Sequence, residues 1–155
     1  MLDWLKSLLK QPEPAGPPQR LRAFTASDRP ISQEGVAPDG GGWRIESREK
    51  RTVRLFEISD PGIERCILTY RVQMKTENVQ EGTYLEMWCR FSGRGEFFSR
   101  GFHHKVKGTR GWASFETPFY LKQGQRPDLL KLNLVVEGPG TVWLKDVEML
   151  RTPLR

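Results

Sequence analysis

Residues 129–150, LLKLNLVVEGPGTVWLKDVEML, give the clearest indication of the fold class. From residue 129 to 137 every second side chain is apolar, which predicts a strand whose buried face carries Leu130, Leu132, Leu134 and Val136. Gly138-Pro139-Gly140 follows as a turn signal. A second alternating run occupies residues 140–150, and no helical periodicity separates the two runs. The stretch therefore predicts two short consecutive strands.

The same period of two extends back to Arg20, interrupted by short clusters of Gly, Pro, Asn and Asp. It predicts strands at about 20–25, 42–48, 51–58, 65–76, 83–92, 96–99, 112–121, 129–137 and 140–150. Many short strands without intervening helices indicate an all-β antiparallel sandwich or barrel. No internal repeat is visible, which argues against a propeller or a solenoid. The alternation alone leaves sandwich and barrel open.

The N-terminal segment has a different character from the rest of the chain. Residues 1–10, MLDWLKSLLK, place leucines at helical spacing and predict a short amphipathic helix, which a Pro-rich linker follows. We therefore expect a helix and linker over residues 1–19 and a sandwich domain over 20–151. The apolar stripe of the helix predicts docking, either on the domain itself or on a protein partner. No apolar stretch typical of a secretory signal occurs there, so the expected location is the cytoplasm.

Size and charge narrow the classes of function. The 155 residues suit one domain, and no apolar run is long enough for a transmembrane helix. The net charge is +6. Between residues 90 and 110 there are six cationic side chains, and Glu96 is the only anionic one. Aromatic residues are interleaved with them, which is typical of surfaces that bind anionic polymers. If the partner is anionic, we expect it at a rim formed by Arg94, Arg100, Lys105 and Lys107.

The strands predicted at 65–76 and 83–92 are expected to form a hairpin. A loop centred between Val79 and Gln80 brings Met74 opposite Leu85 on the core face. Cys66 and Cys89 share that core face but are four residues out of register, too far apart for a disulfide. The pattern predicts two buried free thiols.

The same register predicts a polar outer face, with Arg71 opposite Trp88 and Gln73 opposite Glu86. An indole among planar polar groups is typical of sugar binding, because the ring stacks on the C–H face of a pyranose. The competing interpretation is a solvated face of cross-strand ion pairs, with Arg71 stacked on Trp88. The candidate ligand-binding residues are Arg71, Gln73, Glu86, Trp88, Arg90, Glu116, Lys131 and Asn133.

Residues 111–151, GWASFETPFYLKQGQRPDLLKLNLVVEGPGTVWLKDVEMLR, resemble the closing strands of the galactose-binding-domain-like jelly rolls, a superfamily that includes many carbohydrate-binding modules. The last strand of these proteins often has the form G-x-V-W-[IL]-D-D-[VI]-x-L. The corresponding element here is Gly140 to Leu150, which fits the pattern from Gly140 to Val147 except at Lys145. Lys145 replaces the first Asp of that pattern, and some relatives hold a structural calcium near this strand. The resemblance implies a jelly-roll fold and a role in binding or assembly.

No arrangement typical of catalysis is evident in the sequence. Glu86 and Glu116 are the only carboxylates that we place on the candidate face, and pairing with cations is their commoner use. His103 and His104 are adjacent, so on a strand they point to opposite faces and do not share a metal. We expect no enzyme activity, no cofactor and no metal.

The favoured hypothesis for the function is a carbohydrate-binding-like module. The alternatives are a protein-interaction domain and a module that binds an anionic polymer. Nucleic acid is a disfavoured ligand because the sequence contains no signature motif of a nucleic-acid-binding domain.

Overall fold

The computed structural model describes residues 13–155, which are almost entirely antiparallel β-structure. Within this part of the chain the strands are β1 (Gln19–Phe24), β2 (Val36–Asp39), β3 (Gly42–Ser47), β4 (Arg51–Ser59), β5 (Cys66–Phe91), β6 (Gly95–Arg100), β7 (Val106–Leu121), β8 (Leu129–Val136) and β9 (Gly140–Pro153). No helix among these residues has the length and apolar character needed to cross a membrane.

The long strand β5 belongs to both layers of the fold. Its first half, residues 66–77, pairs with β7 on one side and β9 on the other. Its second half, residues 83–91, pairs with β6 and β8. Sheet A therefore has the order β2-β3-β9-β5-β7, with β1 also paired to β9, and sheet B has the order β4-β8-β5-β6. The two layers make an antiparallel β-sandwich, as the alternating pattern predicts.

The predicted hairpin between residues 65–76 and 83–92 is wrong. The two segments form one strand that crosses from sheet A to sheet B, and each half takes its hydrogen bonds from other strands. Asn78 and Gly82, which suggested a reversal, have φ of 51° and 133° and occupy a stretch with repeated register shifts. Bulges of this kind bend a strand at the corner of a sandwich instead of reversing it.

The core lies between the two sheets and follows the predicted alternation. Leu130, Leu132 and Leu134 of β8 are fully buried. Cys66 and Cys89 are also buried and do not form a disulfide, so the prediction of two buried free thiols is confirmed. Burial, with a smaller contribution from the nearby Cys66, raises the pKa of the Cys89 thiol to about 12.

The two ends of the described chain lie side by side. Pro14 pairs with Leu154 in an antiparallel bridge, and the Ala15 amide donates to the carbonyl of Pro153 at 2.7 Å. This part of the predicted linker is therefore extended and held against the C-terminal strand. The helix predicted over residues 1–10 lies outside the described residues.

Candidate functional site

Sheet B carries a row of aromatic and polar side chains on its outer surface. Outward positions on β5, β6 and β8 alternate with core positions, and the strand register brings them together. Trp88 lies between Phe98 of β6 and Lys131 of β8. We call this surface the Trp88 face; it comprises Glu86, Trp88, Arg90, Phe98, Arg100, Lys131 and Asn133.

Glu86 organises the centre of the Trp88 face. Its carboxylate accepts hydrogen bonds from Trp88 Nε1 at 2.8 Å, Asn133 Nδ2 at 3.1 Å and Arg100 Nε at 2.7 Å. Burial alone raises the pKa of this carboxyl, but the three hydrogen bonds that it accepts outweigh burial and leave the pKa below its ordinary value. Glu86 is thus a fixed anion that sets the orientation of the indole.

The aromatic part of the face is formed by two rings on neighbouring strands. The ring centroids of Trp88 and Phe98 are 5.2 Å apart and the planes are inclined by 58°. Phe98 is 50% exposed, although the Arg100 guanidinium stacks over its ring at 4.1 Å. A hydrophobic surface therefore lies open to solvent beside hydrogen-bonding groups.

The two remaining cations of the face, Lys131 and Arg90, also form ion pairs. Lys131 Nζ lies 2.7 Å from Glu96 Oε1, and Arg90 Nε lies 3.0 Å from Asp128 Oδ1. Each cation of the Trp88 face thus has a carboxylate partner, which keeps the local charge close to neutral.

The structure separates the predicted site residues into two groups. Glu86, Trp88, Arg90, Lys131 and Asn133 lie together on the Trp88 face. The rest of the predicted set lies on the outer surface of sheet A, as the register of β5 with β7 shows for Arg71, Gln73 and Glu116.

The predicted stacking of Arg71 on Trp88 is therefore wrong. Arg71 donates from Nε to Glu148 Oε1 at 2.9 Å, and the cation nearest Trp88 is Arg100, at 5.8 Å from the ring centroid. Phe98 was missed as a site residue. It could have been found from the short Ser92–Gly95 turn, which pairs β6 with the end of β5 and places Phe98 beside Trp88.

The predicted cationic rim is divided, and two of its four cations are neutralised. Arg100 is paired with Glu86, and Lys105 Nζ lies 2.6 Å from Glu137 Oε1. Arg94 is in the turn before β6, while Lys105 and Lys107 follow its other end, so a strand of about 20 Å lies between them. The four residues do not form one continuous patch.

The arrangement of carboxylates and histidines bears on catalysis and metal binding. Glu86 and Glu116 lie on different sheets, so they do not flank one cleft. His103 and His104 are in a single 3-10 turn, Phe102–His104. Among residues 13–155 no group of three His, Cys, Asp or Glu side chains is placed to hold a metal ion.

Comparison with solved structures defines the class of fold. The CBM22-1 xylan-binding domain from Paenibacillus barcinonensis Xyn10C superposes with a TM-score of 0.59 at 11% sequence identity, over 90% of this chain and 98% of that domain. TmCBM61, solved in complex with β-1,4-galactotriose, has a TM-score of 0.48 at 14% identity, over 84% of this chain and 87% of that one. No family model and no curated protein matches the chain.

The CBM22-1 domain confirms, at the level of fold, the resemblance that residues 111–151 carry. The chain has the β-sandwich jelly-roll fold found in carbohydrate-binding modules. Because sequence identity is so low, the likeness extends to the fold and leaves the ligand to be argued from the side chains.

Proposed function

We propose that this protein is a non-catalytic module that binds a glycan on the Trp88 face. The observation that carries the proposal is the indole of Trp88, held by Glu86 beside the half-exposed ring of Phe98. Two inclined rings on adjacent strands suit the C–H faces of successive sugar units. The xylan-binding and galactotriose-bound domains that share the fold support this class of ligand.

The polar groups of the face suit sugar hydroxyls. Arg100 uses Nε for Glu86, which leaves the terminal guanidinium nitrogens, and its side chain is 29% exposed. The Nζ of Lys131 contacts Glu96 and retains donors for a further hydrogen bond. Because each cation is already paired with a carboxylate, an uncharged polysaccharide fits this face better than an acidic one.

A binding role without catalysis follows from the same geometry. Hydrolysis of a glycosidic bond needs two carboxyl groups on either side of the bond. On the Trp88 face Glu86 is buried under three hydrogen bonds, and the next carboxylate, Glu96, is engaged by Lys131. Neither group is free to act as an acid or a nucleophile.

The proposal is tested by electrophoresis in gels that contain soluble xylan, galactan or mannan. Phe98→Ala removes an exposed ring from the face, and we expect retardation by the polysaccharide to weaken about tenfold or more. The matched control is Phe97→Ala. Phe97 is 52% exposed on the same strand but pairs with the core position Cys89 and packs on Phe91, away from the Trp88 face.

Two results would contradict the proposal. One is the absence of retardation by all three polysaccharides and by a broader set of neutral glycans. The other is an equal loss in Phe97→Ala and Phe98→Ala, which would mean that binding does not depend on the Trp88 face.

A further inference from the structure

The outer surface of sheet A carries a second group of aromatic and cationic side chains. Lys75 of β5 pairs with Trp143 of β9, and its Nζ lies 4.5 Å from the centroid of that indole and 5.3 Å from that of Trp112 in β7. Lys145 Nζ lies 4.2 Å from the same Trp112 ring. We call these four residues the tryptophan–lysine cluster.

The cations of this cluster differ from those of the Trp88 face in having no counter-charge. Among residues 13–155 no carboxylate lies within ion-pair distance of Lys75, Lys145 or the neighbouring Arg110. Arg71, four residues before Lys75 on β5, is by contrast bound to the buried Glu148. The carboxylate of Asp39 accepts a hydrogen bond from Trp143 Nε1 at 3.1 Å and lies 3.7 Å from Arg44. The two lysines themselves therefore present unpaired positive charge next to the indole rings.

Space for a ligand adjoins the cluster. A cleft of about 460 Å³ is lined by Lys75, Arg110, Trp143 and Gly111, and Glu77 is the one carboxylate in its lining. A Cβ placed on Gly111 would meet nothing within 4 Å, so the floor of the cleft is open there. Trp112, the next residue after Gly111, is 41% exposed. A volume of this size accommodates one or two sugar units.

We propose that the tryptophan–lysine cluster binds an acidic polysaccharide, a polymer whose sugar rings carry carboxylate or sulfate groups. In such a polymer the anion is attached to the ring that stacks, so the cation must lie within reach of the indole, as Lys145 does for Trp112. On binding, the ammonium moves from the ring face to the anion, and the sugar takes its place on the indole. In a nucleic acid the phosphate is separated from the stacking base by the ribose. The short distances in this cluster therefore favour a charged sugar over a stacked base.

This site is independent of the glycan site proposed above. The two surfaces lie on the outer sides of opposite sheets, and they differ in charge balance. Either one can fail its test while the other stands.

The test uses the full chain in gels that contain polygalacturonate, dextran sulfate or uncharged dextran, with an oligothymidylate as the competing anion. The variant Lys75→Met/Lys145→Met removes both charges and keeps apolar contact with the rings. The matched control, Arg94→Met/Lys122→Met, removes two exposed charges elsewhere. Lys122 follows β7, about 30 Å along the strand from Trp112. Thermal unfolding checks that each variant is folded.

We expect polygalacturonate or dextran sulfate, but not dextran, to retard the protein, and the polymer that acts more strongly identifies the anion. The cluster variant should weaken binding about tenfold or more, and the control about twofold or less. Trp112→Ala should also weaken it about tenfold, which a purely electrostatic attraction would not produce. The proposal is overturned if neither polymer binds, if control and cluster variants lose equally, or if the oligothymidylate binds more tightly with the same dependence on the cluster.

Discussion

At the scale of single residues, Glu86 is the side chain on which the Trp88 face depends. It is 5% exposed and accepts three hydrogen bonds, one of them from the guanidinium of Arg100. A carboxyl whose pKa is lowered on folding stabilises the native state above its unfolded pKa, and that contribution is lost as the pH falls through the folded pKa. The Glu86 carboxylate therefore contributes to the stability of the protein against acid and also sets the position of the Trp88 indole.

We predict that Glu86→Gln lowers the free energy of unfolding at pH 7 by about 1–3 kcal/mol, because charge-assisted hydrogen bonds become neutral ones and Arg100 loses its counter-charge. The variant should also lose less stability than the wild type between pH 6 and pH 3, since it lacks the titrating group. Urea unfolding at several pH values measures both effects.

The control for this prediction is Glu116→Gln, the same chemical change at an exposed position of sheet A. We expect it to alter stability by about 0.5 kcal/mol or less. Equal pH profiles for the wild type and Glu86→Gln would show that the carboxylate does not carry the hydrogen bonds described here.

For single residues, the sequence pattern predicts the side of the sheet on which a side chain lies. It predicts less well which other side chains it contacts there. Alternation correctly assigns Trp88 and Arg71 to outer surfaces and Leu132 to the core, because the face of a strand is set by its own period of two. It does not determine whether Trp88 and Arg71 share a surface. That depends on which strands pair, and the pairing is decided by residues far apart in the chain.

At the scale of strands, β5 shows why local turn signals misled the hairpin prediction. Asn78 and Gly82 favour positive φ in a hairpin turn and in a bulged corner alike, so their presence does not distinguish the two. To predict the true arrangement, one would have to know that β7 and β9 flank the first half of β5. The short strand β2, Val36–Asp39, was missed for a similar reason, since four residues give too little alternation.

The contact between β3 and β9 supplies a prediction about strand packing. Gly42 begins β3 directly against β9, and a Cβ there would lie 1.9 Å from the carbonyl oxygen of Leu144. Gly42→Ala must push the two strands apart, and we expect a loss of about 3 kcal/mol of unfolding free energy. Chemical denaturation measures the loss.

Gly111→Ala is the matched variant for this prediction, because a Cβ at Gly111 meets nothing within 4 Å. Its unfolding free energy should stay within about 0.5 kcal/mol of the wild type. If Gly42→Ala changed the unfolding free energy as little as Gly111→Ala, β3 and β9 could not approach each other as closely at Gly42 as described here.

At the scale of the whole molecule, the net charge of +6 is distributed differently from the sequence-based expectation. The stretch 90–110 holds six cations, but the fold gives Arg90, Arg100 and Lys105 carboxylate partners. Lys75 and Lys145, which lie beside aromatic rings and have no carboxylate partner among residues 13–155, come from distant parts of the chain and meet only in sheet A. No local window of sequence shows this patch, because it exists only through strand pairing.

The sandwich thus presents two outer surfaces of different chemistry. The Trp88 face of sheet B is neutral and centred on the carboxylate of Glu86, whereas the tryptophan–lysine cluster of sheet A is cationic. The jelly-roll fold shared with the CBM22-1 domain accounts for the layout of strands, and the side chains on each sheet set what that surface can hold.

The proposed contact between Trp88 and a neutral glycan can be measured by nuclear magnetic resonance of the tryptophan indole N–H signals. The Trp88 Nε1–H donates to Glu86, so its signal reports on this face alone, and a Trp88→Phe sample assigns it. On titration with neutral oligosaccharides of xylose, galactose and mannose, we predict that the Trp88 signal moves while those of Trp112 and Trp143 do not. A titration in which Trp88 stays fixed, with Trp112 or Trp143 moving or with no signal moving at all, would contradict the account.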